Sequence, residues 1–262
     1  MNYHMQKELG EQAVYLSQRI ATAGCGSEFG KEPFKHLVLD NAFNLSYLEN
    51  ARQSFPLPCD PSWENTNDDD IEIKQRSNWS SEFDIPDGLI DIFRILNSAP
   101  MLRALSAVFS IPKLIPDPYY TGGGLNQMSR GGHLGVHVDG NYHDATGLTR
   151  RLNVILFIHP EWKNEWFGHF GLFGENGTTC IKEVAPIPNR LIAFETHDKS
   201  FHGFNSPPIN CPEEVRRQSI LLYYYTHEPR SRNQVVVEDP HSALWVDRGM
   251  RDKRGCLTRD YE

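Results

Sequence analysis

Apolar residues at helical spacing are confined to the stretch before Leu114. Leu9, Ala13, Leu16 and Ile20 fall on one stripe of a 3.6-residue repeat, and Gly24 predicts its stop. Phe34 to Leu39 reads as a strand, and Leu45 to Phe55 as a helix that ends before Pro56 and Pro58. Leu89, Ile92 and Leu96 predict another helix, and Leu102, Leu105 and Phe109 one more, with Pro100 in a first turn that needs no backbone donor. Cys59 to Trp79 is polar, and Asn65 to Asp70 reads as a solvated loop. After Leu114 the pattern changes to short apolar runs separated by Gly, Pro and Asn, which predicts an antiparallel sandwich. The run Arg150 to Ile158 is strand-like. One domain in three parts is expected: a helical support region with the first strand over 1–113, a β core over 114–227, and a polar, charged C-terminal extension over 228–262, packed over the core or partly mobile.

At 262 residues the chain is long enough to bury a sizeable core. It has no apolar run near the roughly eighteen residues of a membrane span, and Met1 to Arg19 lacks the basic start and apolar centre of a signal peptide. Cys25, Cys59, Cys180, Cys211 and Cys256 are odd in number and show no C-x-x-C spacing. They read as reduced thiols of a cytoplasmic protein, not as a disulfide framework or zinc site. A net charge of −8 argues against a general nucleic-acid or anionic-membrane surface and leaves a small charged substrate open.

The chemistry concentrates in His137-Val138-Asp139. In an extended segment alternate side chains project from one face, so an imidazole and a carboxylate two residues apart can grip one metal ion. Eleven histidines and thirty-four acidic residues produce such pairs by chance, so the motif takes its weight from its surroundings. His202 can complete a two-histidine, one-carboxylate facial triad, the ligand set of non-heme Fe(II) oxygenases, which leaves metal positions open. Arg217 offers a planar cation suited to gripping a carboxylate bidentately. Arg216 must face the other way on a strand, while Ser219 shares Arg217's face.

In chain order the sequence carries H-x-D-x-N at His137, R-R-L-N at Arg150, N-R-x-x-x-F at Asn189, S-x-H-G at Ser200 and R-x-S-x-x-x-Y-Y-Y-T at Arg217. This series resembles the Fe(II)- and 2-oxoglutarate-dependent oxygenase superfamily in its prolyl-4-hydroxylase-like branch, over roughly Phe34 to His227. The resemblance implies a mainly β protein with N-terminal helices: a double-stranded β-helix, that is, a cupin-like jelly roll with the metal near one mouth. It implies a dioxygenase using Fe(II), 2-oxoglutarate and O2, with ascorbate as reductant, that releases succinate and CO2. The implied reaction hydroxylates an unactivated C–H bond of an amino acid, a proline-like peptidyl residue or a small biosynthetic intermediate. His137, Asp139 and His202 would be the metal ligands, and Arg217, with Ser219 beside it, would meet the distal carboxylate of 2-oxoglutarate. Gln127 and Asn153 stand where relatives place groups that touch co-substrate or substrate. Arg151, taken to share Asn153's face, is a further pocket candidate, and Lys74, Arg76, Tyr119 and Tyr120 are candidates for a substrate-covering surface.

Some positions depart from the family pattern. Phe157 stands where relatives often carry a tyrosine whose hydroxyl helps bind the co-substrate, and Gly140 replaces a common aromatic, which should open space beside the metal. Phe167 and Gly171 depart from a G-G-x-x-E segment. Desaturase-like or halogenase-like chemistry on the same scaffold is the alternative, although Asp139 occupies the position a halide would need. A nucleic-acid demethylase would carry Asn and Arg where Ser219, Leu221 and Tyr223 stand. A zinc hydrolase could use the same three ligands but leaves Arg217 without a purpose, and a catalytically silent metal-binding module would usually have lost a ligand. His143, His159 and His169 read as structural.

Overall fold

The computed structural model describes residues 3–69, 71–174 and 176–253. The end of the C-terminal extension, 254–262 with Cys256, lies outside the described residues, as does the start of the chain at Met1. The helices are α1 (Tyr3–Ala23), α2 (Leu45–Gln53), α3 (Asp87–Leu96) and α4 (Ala99–Phe109), matching the predicted stripes. The strands begin with β1 (Phe29–Gly30), β2 (His36–Leu39), β3 (Trp63–Asp68), β4 (Glu72–Ser77), β5 (Ile115–Pro116), β6 (Gly124–Met128), β7 (His133–Leu134) and β8 (His137–Val138). They continue with β9 (Thr149–Phe157), β10 (Phe170–Phe173), β11 (Cys180–Val184), β12 (Leu191–Glu195), β13 (His202–Phe204), β14 (Arg217–Thr226) and β15 (Leu244–Trp245). The larger sheet runs β1-β2-β12-β9-β14-β6-β4-β3, with β5 on β14 and β7 on β4, and the smaller runs β11-β10-β13-β8-β15. The two face each other as a double-stranded β-helix.

Strand β9 is apolar without a break because it is buried on both sides. Leu152, Val154 and Leu156 pack with Ile220, Leu222 and Tyr224 of β14 against α1, α3 and α4. Ile155 and Phe157 turn the other way, towards Phe170 and Leu172 of the smaller sheet. Polar groups stitch helices to sheet: Tyr224 Oη donates to Leu96 O at 3.1 Å, and Arg52 donates to Ile158 O and His159 O at 2.5 and 3.0 Å. Among the described residues no single helix is long and apolar enough to cross a membrane.

Two stretches differ from expectation. Most of the polar segment Asn65 to Trp79 is strand rather than loop. Strands β3 and β4 pair antiparallel from Trp63↔Ser77 to Asp68↔Glu72, and β4 joins the edge of the larger sheet through β6. Its inward side chains, Glu72, Lys74 and Arg76, face a polar cavity, so no apolar alternation marks the strand. The C-terminal extension is likewise built into the sheet. Leu244 pairs with Val138 and Trp245 with His137, making β15 an edge strand of the smaller sheet. Buried Asp198 fastens the strap that leads there, accepting from Arg230 at 2.6 Å, from the amides of Val236 and Val237 at 2.8 and 2.9 Å, and bonding His241 at 3.3 Å.

Two histidines outside the metal-ligand set, His159 fully buried and His197 partly so, make the fold acid-sensitive. The His159 ring lies between Pro186 O at Nε2 (2.7 Å) and the Gln218 amide at Nδ1 (3.2 Å), a pair of bonds that the neutral ring satisfies. Burial lowers its pKa from 6.5 to about 4, and burial with Arg230 does the same for His197. The unfolded chain takes up these protons below about pH 6.5 while the folded chain resists until near pH 4. The stabilisation is therefore complete above pH 6.5 and lost as pH falls through that window, on the order of 3 kcal/mol for each ring. Thermal melts of the metal-free protein should drop steeply across this range. His159→Gln should melt lower at neutral pH but show a shallower acid limb; an unchanged slope would refute the assignment.

Candidate active site

Strands β8 and β13 pair so that His202 lies directly opposite His137. Each imidazole is fixed by its own strand's backbone: His137 Nδ1 donates to Gly135 O at 3.0 Å and His202 Nδ1 to Ser200 O at 2.9 Å. Both Nε2 atoms are thereby left as acceptors aimed at Asp139, which lies 3.7 Å from His137 Nε2 and 3.5 Å from His202 Nε2. One atom from each of the three residues lies within 4.8 Å of the others, and all three residues are buried. Burial lowers the His202 pKa to about 4, so the ring stays neutral, the form that binds metal. Gly203, after His202, lets the chain cross close by: a Cβ there would lie 2.5 Å from Gly135 O.

The second oxygen of Asp139 is held from β9. Asn153 Nδ2 donates to Oδ2 at 2.7 Å, and Arg150 Nη2 lies 3.1 Å from it. Arg150 also donates to Asn153 Oδ1 and lies 3.4 Å above the Tyr223 ring. Burial would push the Asp139 carboxyl up, but the Arg150 guanidinium and the neighbouring imidazoles outweigh it and hold it well below the usual carboxylate range. Arg150, not Arg151, therefore belongs to the site. A bulge in the β9–β14 ladder is the reason: Tyr224 pairs with Leu152 but Tyr225 with Arg150, so Arg151 is the extra residue and the alternation flips. Arg151 turns to Thr226 Oγ1 at 3.3 Å and does not line the cavity.

Strand β14 turns Arg217, Ser219, Leu221, Tyr223 and Tyr225 inward. Arg217 and Ser219 are buried, although only the last three line the cavity itself. Arg217 lies 4.7 and 5.1 Å from the Phe157 and Phe204 ring centroids, with Nε donating to Gly168 O at 3.0 Å. No carboxylate among the described residues pairs with it, and burial alone lowers its pKa to about 9. Gln127 is a correction. It stands opposite Gln218, bonds Gln75 at 2.8 Å and lines a separate outer groove with Arg216. The inward residue of β6 is Asn126, opposite Ser219 and buried with its Nδ2 unpartnered.

A cavity of about 360 Å³ adjoins the cluster, floored by Ile155, Phe170, Phe194 and Leu221. Lys74 and Arg76 line it, as do Asn153 and Gly140. The space expected beside Gly140 is filled: a Cβ there would lie 2.8 Å from His241 O and 3.2 Å from Ser242 Cα of the strap. Trp245 lines the cavity and stacks on His137, with ring centroids 4.3 Å apart and planes at 26°. Tyr120 does not reach it; the ring is buried against Trp79 and Phe93 under the larger sheet. Tyr119 is half exposed, 5.5 Å from the His143 ring. His143, His159 and His169 serve structural bonds, His143 to Asp117 at 2.9 Å and His169 to Glu183 at 2.6 Å. The apolar triplet Leu244-Trp245-Val246 in a polar tail was the one sequence signal for Trp245.

Residues 123–225 match the family model of the 2OG-Fe(II) oxygenase superfamily. This segment carries β6 to β14 up to Tyr225 and holds His137, Asp139, His202 and Arg217, and its similarity to that family supports a 2-oxoglutarate-dependent dioxygenase using Fe(II), 2-oxoglutarate and O2. No curated protein matches the chain. Its fold is that of solved prolyl hydroxylases. A Trichoplax adhaerens prolyl hydroxylase, solved with a peptide fragment of the hypoxia inducible factor oxygen degradation domain, superposes with a TM-score of 0.53 at 15% identity, covering 86% of this chain and 93% of that one. A Pseudomonas putida prolyl-4-hydroxylase gives 0.51 at 11% identity, covering 84% and 100%. A Phytophthora capsici prolyl 4-hydroxylase gives 0.56 at 15% identity, covering 83% and 66%.

The two buried arginines should respond oppositely to neutralisation. Arg150→Met strands Asp139 in the interior and should destabilise the metal-free protein by about 3–5 kcal/mol. Arg217→Met removes a charge that no carboxylate among the described residues neutralises, so stability should hold or rise. Denaturant titrations of both variants give the comparison, and equal losses would contradict it.

Proposed function

We propose that the protein holds Fe(II) through His137 Nε2, His202 Nε2 and the Asp139 carboxylate. In this reading it binds the distal carboxylate of 2-oxoglutarate on Arg217 and hydroxylates an unactivated C–H bond of a small-molecule or peptide substrate, with release of succinate and CO2. The observation that carries this is the buried Arg217 guanidinium, without a counter-charge among the described residues and on the same sheet face as the cavity. A hydrolase built on the same three donors has no use for it, whereas a dicarboxylate co-substrate supplies the missing anion. The donor set itself, two neutral imidazoles and a carboxylate, fits Fe(II) with positions left open.

The bound metal with 2-oxoglutarate and O2 supplies an oxidative decarboxylation coupled to oxygen insertion into a C–H bond. The chain's own part is placement and exclusion. Backbone carbonyls set the tautomers of His137 and His202. Asn153 and Arg150 fix the Asp139 carboxylate through one oxygen. The apolar floor of Ile155, Phe170, Phe194 and Leu221 keeps water from the reacting centre. Phe157 offers Arg217 a ring face instead of a hydroxyl, and Ser219 and Asn126 are the buried polar groups nearest in register to take a co-substrate bond. The Asp139 ligand occupies the position a halide would need, which speaks against halogenation, and hydroxylation is distinguished from desaturation by the product. The peptide bound to the Trichoplax enzyme supports keeping peptidyl residues among the substrates considered.

Three measurements test this. His137→Ala and His202→Ala should each abolish stoichiometric Fe(II) binding; normal iron in both would sink the ligand assignment. Arg217→Met should weaken 2-oxoglutarate binding more than about a hundredfold, the equivalent of roughly 3 kcal/mol, with Mn(II) binding nearly unchanged. Substrate turnover should release one succinate per product carrying one added oxygen atom, and a product lacking hydrogen instead would assign desaturation.

A further inference from the structure

The two imidazoles of the cluster are held in different ways. The His202 ring packs among Phe170 and Phe194 of the jelly-roll core, with centroids 5.5 and 4.8 Å away. Among the described residues, the rings against His137 are His202 itself, at 4.3 Å and 55°, and Trp245, at 4.3 Å and 26°. Register explains the difference. Trp245 stands directly opposite His137 on β15, as His202 does on β13, so the three rings form one row across the smaller sheet. The bond from Nδ1 to Gly135 O fixes one ring nitrogen of His137, and a single bond leaves the ring free to rock about it. The indole face removes that freedom.

The ligand strand depends on the same element. β8 has two residues and lies between β13 and β15. Without β15 it would be the edge of the smaller sheet, with one side of its backbone unpaired. β15 is fastened by the Val246 amide, which donates to Val136 O at 2.9 Å, and by Leu244, which packs with Val138, Phe173 and Phe201. Trp245 is 2% exposed, yet its Nε1 finds no acceptor among the described residues. Stacking and burial therefore keep the ring in place, not a polar bond. The segment that carries it lies beyond residues 123–225, the part of the chain that matches the family model.

The imidazole of His137 becomes more positive when its Nε2 binds a divalent ion, and a more positive ring is held better by the electron-rich face of an indole. Coupling of this kind is reciprocal: whatever the stack adds to metal affinity, the metal returns to the docked strap. We propose that Trp245 is a positioning residue of the metal centre. Its indole face sets the plane of the His137 ring, and metal binding and docking of the C-terminal strap thereby stabilise each other. This rests on His137, Asp139 and His202 being the metal ligands.

The test uses the full chain. Mn(II) affinity is read from the EPR signal of the free ion, and strap docking from amide hydrogen exchange with and without Zn(II). Trp245→Leu keeps an apolar residue on β15 and removes the ring face. It should weaken Mn(II) binding about tenfold or more, the usual effect of losing a group that orients a metal ligand. Trp245→Phe keeps a ring face without the N–H and should retain most of the affinity. In the native protein Zn(II) should slow exchange of the hydrogen-bonded Trp245, Val246 and Met250 amides about tenfold. It should leave the amides of α2 unchanged, and in Trp245→Leu its effect on the strap should vanish. A strap that only packs over the cavity would lower the melting temperature of Trp245→Leu without moving Mn(II) affinity, and that result would overturn the proposal. So would a Trp245→Phe variant that binds as weakly as Trp245→Leu, or strap exchange that Zn(II) slows no more than that of α2. The exchange comparison on native protein decides the proposal even where Trp245→Leu does not fold. Native protein that binds neither Mn(II) nor Zn(II) would instead refute the ligand assignment on which it rests.

Discussion

The register of β8 against β13 is the constraint from which the site follows. With His202 directly opposite His137, the two imidazoles rise from one face of the smaller sheet, and Asp139, two residues along, meets them. A slip of either strand by one residue would send its ring to the opposite face and part the two imidazoles, because side chains alternate along every strand. Gly203 secures the register, since any larger residue would strike the Gly135 carbonyl and part the strands. The donor bonds from each Nδ1 to its own strand's backbone then settle which nitrogen is presented. These features all lie within a few residues of the ladder, and none depends on the N-terminal helices directly. The helices act one layer further out, by burying the back of β9 and β14 and keeping the larger sheet in place behind the cavity.

Much of this was legible in the sequence because it rests on local periodicity. Helical stripes, the strand after the His-x-Asp pair and the inward face of β14 all follow from alternation that packing preserves. The misreadings fall where alternation stops or carries no contrast. At Arg150 and Arg151 a bulge flips the face, and a bulge is visible only in the pairing with Tyr224 and Tyr225 on another strand. At Asn126 and Gln127 two adjacent polar amides give no apolar marker, so either register fits the sequence equally well. Strands β3 and β4 read as a loop because one face meets water and the other a polar cavity. Tyr120 left the site for a reason of packing: its ring completes an aromatic cluster with Trp79 and Phe93.

Arg150 and Arg217 show how the same side chain can serve structure or ligand according to its counter-charge. Arg150 has Asp139, the Asn153 amide oxygen and the face of Tyr223, so its charge is raised in pKa and satisfied by the chain. Arg217 has two phenyl rings and one carbonyl, and its pKa falls. Keeping a cation in such surroundings costs stability that a folded chain without a ligand does not recover. Positions of this kind persist where a bound anion restores the balance, which is why the less comfortable of the two arginines is the better candidate for the co-substrate.

The same reasoning explains why the cavity is finished by elements outside the jelly-roll core. The core supplies the ligand cluster and an apolar floor, and the remaining walls come from elsewhere. A hairpin added to one edge and a strap added to the other bring in the polar groups that face the substrate. Gly140 is the joint between them: without a side chain there, the backbone of His241 and Ser242 can lie against the ligand strand and carry Trp245 onto the His137 ring. An aromatic residue at that position would fill the gap from the core side and push the strap away. The glycine therefore does not enlarge the site; it transfers one wall from the core to the C-terminal segment, and with it the control of what the cavity admits.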